Sequence, residues 1–201
     1  MKLIYTPVNI HWSFLILILS IIYQSDNILE GVYIGLVLSF CIIIHEMGHA
    51  LAAEYLGHET RSITLFLLGG ATDISYKKLK QDDVAIISAA GPLANFLMAI
   101  IGITINIIFA KFKMNWQIAS FYIPIFWGIN LISGLFNLIP VYPLDGGRLF
   151  KYYLGRVASH DIVSGGLGYS NFVFGLIMIA AGLYWLNPFL VISGFYIFRI
   201  S

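Results

Sequence analysis

The sequence predicts an all-α membrane protein with about six transmembrane helices, and three observations predict it. Hydrophobic residues make up 59% of the 201 residues and charged residues only 10%, with a mean hydropathy of +0.87. A soluble domain averages about 25% charged residues. The apolar residues fall into runs near 10–23, 32–56, 84–110, 118–139, 165–184 and 186–198, and a spanning helix needs roughly 20 such residues. The third observation is His45-Glu46-Met47-Gly48-His49, which lies inside the second run after the charge-free stretch 32–44. Two imidazoles and a carboxylate at membrane depth are costly, so their default reading is functional.

The first run is short and opens with His11 beside Trp12, an interfacial anchor pair. No strong basic segment precedes it and no small-residue cleavage site follows it, so it reads as a retained helix. The connection 57–83 carries Arg61, Lys77, Lys78 and Lys80, and Gly69-Gly70 marks a turn. Asn95 inside the third run reads as a helix–helix hydrogen bond. The fourth run ends at Pro140 and Pro143, which break a helix, and Gly146-Gly147 allows a sharp turn. The connection 140–164 holds Arg148, Lys151 and Arg156. His58 and His160 fall in connections and read as solvated. Two further runs close the chain, and no internal repeat is visible. The whole reads as one membrane domain, residues 1–201, with a catalytic core near 32–150.

Charge asymmetry sets the orientation. With the N-terminus in the cytoplasm and six spans, the inner segments hold Lys2, Arg61, Lys77, Lys78, Lys80, Arg148, Lys151, Arg156 and Arg199. The outer loops hold only Lys111 and Lys113. Both termini are then cytoplasmic. His45 lies 13 residues past Val32, roughly 20 Å along a helix, which places it in the cytoplasmic third of the bilayer. A net charge of +1 makes no case for a nucleic-acid partner. Cys41 is the only cysteine, which excludes an internal disulfide; four residues before His45, it reads as a small buried filler.

On a helix, residues i and i+4 share a face, so His45 and His49 can bind one metal together, with Glu46 placed to act on an attacking water. This is the pattern of a zinc hydrolase. A catalytic zinc takes three protein ligands. Glu54 lies on the opposite face of the helix from His45. Asp73, in the connection after the helix, is possible by spacing alone. Asp145 is favoured because the fourth span ends at the same cytoplasmic depth, where a backbone broken by prolines can line a polar cavity.

H-E-x-x-H in an early span, with Asn137-Leu-Ile-Pro-Val-Tyr-Pro-Leu-Asp145-Gly-Gly later, resembles the site-2 protease family of intramembrane zinc metalloproteases. Ala90-Gly91-Pro92-Leu93 and Phe66-Leu67-Leu68-Gly69-Gly70 extend the likeness over roughly residues 10–150. It is similar to the small branch of sporulation pro-sigma-factor processing proteases, without the PDZ insertion or CBS pair of other branches. The resemblance implies zinc on His45, His49 and Asp145 and a catalytic base at Glu46. It places Asn137 beside the site, as a donor to the oxyanion or to the substrate backbone, with Asn130 a second candidate two turns earlier. It also implies a short membrane-embedded β segment after the zinc-binding helix, carried onto residues 66–72. The implied partners are the lipid bilayer, a transmembrane or membrane-tethered protein substrate and, as a further possibility, a regulatory membrane protein. The implied location is a prokaryotic plasma membrane. Two other functions compete. A metal-ion transporter predicts repeat symmetry and ionisable residues at all depths, whereas the polar cluster here lies on one side. An inactive, protease-like binding protein predicts loss of the base, whereas Glu46 is intact.

Overall fold

The computed structural model describes residues 6–67, 69–75, 80–185 and 187–199. Lys2, Lys77 and Lys78, which carry part of the charge asymmetry, lie outside them, as does Leu68. The chain forms two compact units, one of residues 1–79 and 90–136 and one of residues 80–89 and 137–201.

The first unit begins with β1 (Val8–Ile10), α1 (Trp12–Gln24) and α2 (Ile28–Tyr55). The His11 imidazole caps α1 by accepting from the Ser13 N–H, and the His11 N–H donates to Leu65 C=O at 2.9 Å. His11 is thus a cap as well as a neighbour of Trp12. Asn27 caps α2 in the same way through the Leu29 N–H. At 28 residues α2 is about 42 Å long, well beyond a hydrocarbon core of about 30 Å.

A hairpin follows, made of β2 (Thr60–Phe66) and β3 (Gly69–Ile74), with Leu65 opposite Gly70 and Ser62 opposite Asp73. β1 pairs parallel to β2, so the sheet order is β1-β2-β3. Alternate residues of a strand face opposite sides, and Ile63 and Leu65 both point inward to join Phe14, Ile42 and Ala50 in one core. The β segment expected over residues 66–72 is therefore the middle of a hairpin, and the fold is mostly helical with a small sheet. Gly69 and Gly70 are the first two residues of β3. Gly69 takes a φ of 134°, which side-chain-bearing residues rarely adopt, whereas Gly70 has a packing reason: a Cβ there would lie 2.5 Å from Glu46 Cγ.

α3 (Gln81–Lys111) starts in the second unit and contributes its remainder to the first, where a π-helical turn (Ile118–Tyr122) leads into α4 (Ile123–Asn137). In the first unit α3 crosses close to α2. A Cβ on Gly48 would come 2.5 Å from the Ala90 carbonyl oxygen, so small residues let the two backbones approach.

The second unit contains α5 (Asp145–Leu154), α6 (His160–Tyr184) and α7 (Pro188–Arg199). Val141, Met178 and Ile197 form its core. α6 and α7 meet at Gly175 and Gly194, each with the other's carbonyl oxygen within 2.9 Å of where a Cβ would stand. Gly146 and Gly147, read from sequence as a sharp turn, lie in the first turn of α5. Their reason is again close approach: a Cβ on Gly147 would sit 2.6 Å from the Val141 carbonyl. Most of the polar connection 140–164 is helical, and His160 opens α6 instead of lying in a loop. Periodicity of apolar residues missed these turns because glycines and charged residues interrupt the apolar pattern there. Tyr152 and Arg156 both donate to Asp82, at 2.6 and 2.7 Å, with the guanidinium 4.5 Å from the Tyr152 ring centroid. The bond to Asp82 holds the Tyr152 phenol above its ordinary pKa.

Among the described residues four helical segments are long and apolar enough to cross a membrane: Ile28–Tyr55, Gln81–Lys111, Ile118–Asn137 and His160–Tyr184. The chain is thus a multi-pass membrane protein. The first and last apolar runs form α1 and α7, of 13 and 12 residues.

Candidate metal centre

His45 and His49 lie one turn apart on α2 and both are buried. Their Nε2 atoms are 3.1 Å apart. Two nitrogens on a tetrahedral zinc, each at about 2.0–2.1 Å, would be separated by about 3.3 Å, so the pair fits one ion. The wall facing them is Gly91 of α3. A Cβ there would stand 2.5 Å from His49 Nε2 and 2.8 Å from His45 Nε2. A hydrogen in place of a side chain leaves that space to a ligand of the imidazoles.

The other nitrogen of His45 is also committed. Nδ1 donates to Asn95 Oδ1 at 2.8 Å, which keeps the proton on Nδ1 and the lone pair of Nε2 toward the metal position. Asn95 is fully buried. Its Nδ2 donates to Asn130 Oδ1 at 3.3 Å, and Asn130 Nδ2 donates to Phe126 C=O at 2.9 Å. Asn95 also donates to Cys41, so the thiol is a buried member of this network and not only a filler. Sequence reasoning assigned Asn95 a helix–helix bond. It makes one, and it orients a metal ligand besides. The available signal was the rule that a metal-binding imidazole gives its second N–H to an acceptor. Replacing Asn95 with Ala is expected to weaken zinc binding roughly 10- to 100-fold, read by competition with a chromophoric chelator. Unchanged affinity would show that His45 is oriented by something else.

Glu46 is buried beside β3. The Thr72 hydroxyl donates to Glu46 Oε2 at 2.6 Å and lies 3.2 Å from the Glu46 carbonyl oxygen. Asp73 is exposed, and strand alternation turns it away from the face that Gly70 and Thr72 present to Glu46. It is therefore not a ligand partner of His45 and His49. In the second unit Asp145 is the first residue of α5 and is 5% exposed. Asn137 ends α4 and is half-buried. Within the first unit His45 and His49 offer two imidazoles, and within the second Asp145 offers a carboxylate; these are donor types that zinc takes.

The model of peptidase family M50 matches residues 33–113 and 104–181. Zinc metalloprotease MJ0392 of Methanocaldococcus jannaschii is 28% identical over 205 residues, covering 98% of this chain and 57% of that protein. Stage IV sporulation protein FB of Bacillus subtilis is 28% identical over 117 residues, covering 57% of this chain and 38% of that protein. The chain spans about half the length of the curated relatives it matches. Among solved structures, the site-2 protease from Methanocaldococcus jannaschii superposes with a TM-score of 0.72 at 24% identity, covering 96% of this chain and 88% of that one. That likeness is one of fold.

Proposed function

Because this chain belongs to peptidase family M50, we propose that it is an intramembrane zinc metalloendopeptidase. In this reading it cuts peptide bonds within or near the transmembrane segment of a membrane-tethered protein. The observation that carries the reading is the pair of Nε2 atoms 3.1 Å apart, with a buried carboxylate on the next residue, inside an apolar helix. His45, His49 and Asp145 hold the ion, one per chain. Asn137 donates to the oxyanion or to the substrate backbone.

A bound zinc ion supplies Lewis acidity toward the scissile carbonyl and lowers the pKa of an attacking water. Glu46 takes the proton of that water as it attacks and returns it to the leaving amine. His45, held by Asn95, and His49 keep the ion in place beside the base. The substrate has to be extended, because a helix hides its carbonyls. β3, an edge strand of the sheet among the described residues, suits an extended segment added by backbone pairing.

The same reading takes residues 1–201 as one protease domain with six crossings, α1 and α7 being short ones of about 20 Å each. It places both termini in the cytoplasm, the site in the cytoplasmic third, and the protein in a prokaryotic plasma membrane. Its partners are the bilayer, the substrate and a regulatory membrane protein.

The test is proteolysis of a panel of single-span substrates in detergent, beside metal analysis. The expected result is close to one zinc per chain, loss of cutting after chelation, and recovery on adding zinc. Cutting at full rate by metal-free protein would overturn the reading. So would a zinc-loaded protein that cuts no member of the panel.

A further inference from the structure

We propose that Thr72 is the positioning residue for the base Glu46, so that the strand offered to the substrate also sets the carboxylate that acts on it. This rests on the protease reading. Glutamate has three rotatable bonds, and a buried carboxylate needs a donor. Among the described residues, the hydrogen bond to the Glu46 carboxylate comes from outside α2, from β3. The Thr72 hydroxyl bonds Oε2 at 2.6 Å, the length of a hydroxyl–carboxylate bond. Two residues earlier on the same face of the strand, Gly70 stands against Oε1, and a Cβ there would be 2.7 Å from it. One carboxylate oxygen is therefore engaged, and the other faces a residue with no side chain. Thr72 selects the rotamer, and Gly70 leaves room at Oε1 for a water.

The consequence concerns register. Gly70 and Thr72 belong to β3, whose inner edge pairs with β2 through Leu65 opposite Gly70 and Ile63 opposite Thr72. An extended peptide on the free edge of β3 would be pinned by the same backbone that pins Glu46. Substrate carbonyl and base would then share one reference frame. Misplacement of a reacting group by about 1 Å costs on the order of 100-fold in rate.

The experiment compares wild type, Thr72→Val and Thr72→Ser, all zinc-loaded, on one cleaved single-span substrate. Glu46→Gln is the dead reference. Thr72→Val keeps the shape and removes the hydroxyl. It is expected to lower kcat roughly 10- to 100-fold, with KM and zinc content unchanged. Thr72→Ser restores kcat. The second readout needs no activity. In the infrared difference spectrum of each protein against its Glu46→Gln counterpart, the carboxylate stretch shifts in Thr72→Val and returns in Thr72→Ser. Full kcat in Thr72→Val overturns the proposal, as does an equal loss in Thr72→Val and Thr72→Ser. An unmoved carboxylate band overturns it as well. If wild type cuts nothing, the protease reading falls, and the infrared band alone decides whether Thr72 holds Glu46.

Discussion

Glu46→Gln is expected to lower turnover about 10²- to 10⁴-fold, the range that a general acid–base group contributes, while leaving close to one zinc per chain. The substitution is nearly isosteric, and the Thr72 hydroxyl that bonds Oε2 can still donate to an amide oxygen. Position is therefore retained and only proton transfer is lost. His45 and His49, whose Nε2 atoms are 3.1 Å apart, are untouched by the change. Initial rates beside metal analysis of the same preparation check both halves. Retained turnover would mean that the base lies elsewhere. Lost zinc would mean that Glu46 helps to hold the ion, and its role as base would fall.

Gly91→Ala is expected to take zinc binding from close to one ion per chain to close to none. The new Cβ would stand 2.5 Å from His49 Nε2 and 2.8 Å from His45 Nε2, in the space the ion needs. Two backbones that already pack this closely have little freedom to separate. The prediction is sharp because the ordinary effect has the opposite sign. Within a helix, Gly→Ala stabilises by about 1 kcal/mol. Gly128→Ala, where a Cβ would meet nothing within 4 Å, is the control and should keep its metal. Zinc stoichiometry and thermal melting of the three proteins decide the matter. A Gly91→Ala protein with full zinc would show that the imidazoles do not bind an ion on the side facing α3.

Legibility in the sequence followed the range of the interaction. The membrane class, the order of the apolar helices and the pairing of His45 with His49 were readable, because each depends on residues close in the chain. The four-residue spacing is itself helix geometry. Less was readable where polar residues form helix. α5 and the start of α6 fall in a stretch without an apolar stripe long enough to announce them. Gly69-Gly70 and Gly146-Gly147 were read as turns because glycine permits them. Gly69 does use that freedom, with a φ of 134°, but Gly70, Gly146 and Gly147 serve close packing. Each pair holds a residue that stands against another segment, and a local reading has no access to that segment.

The sequence by itself determined that this is a membrane protein of the M50 family with a paired-imidazole, single-carboxylate motif in its second apolar run. Only the tertiary structure decided what surrounds that motif. Asn95 reaches His45 across 50 residues and Thr72 reaches Glu46 across 26. Gly91 and Gly70 are small because an imidazole pair and a carboxylate lie opposite. The physical reason is that a ligand pair one helical turn apart is set by backbone periodicity. Its acceptors, donors and free space are set by how closely α3 and β3 pack onto α2.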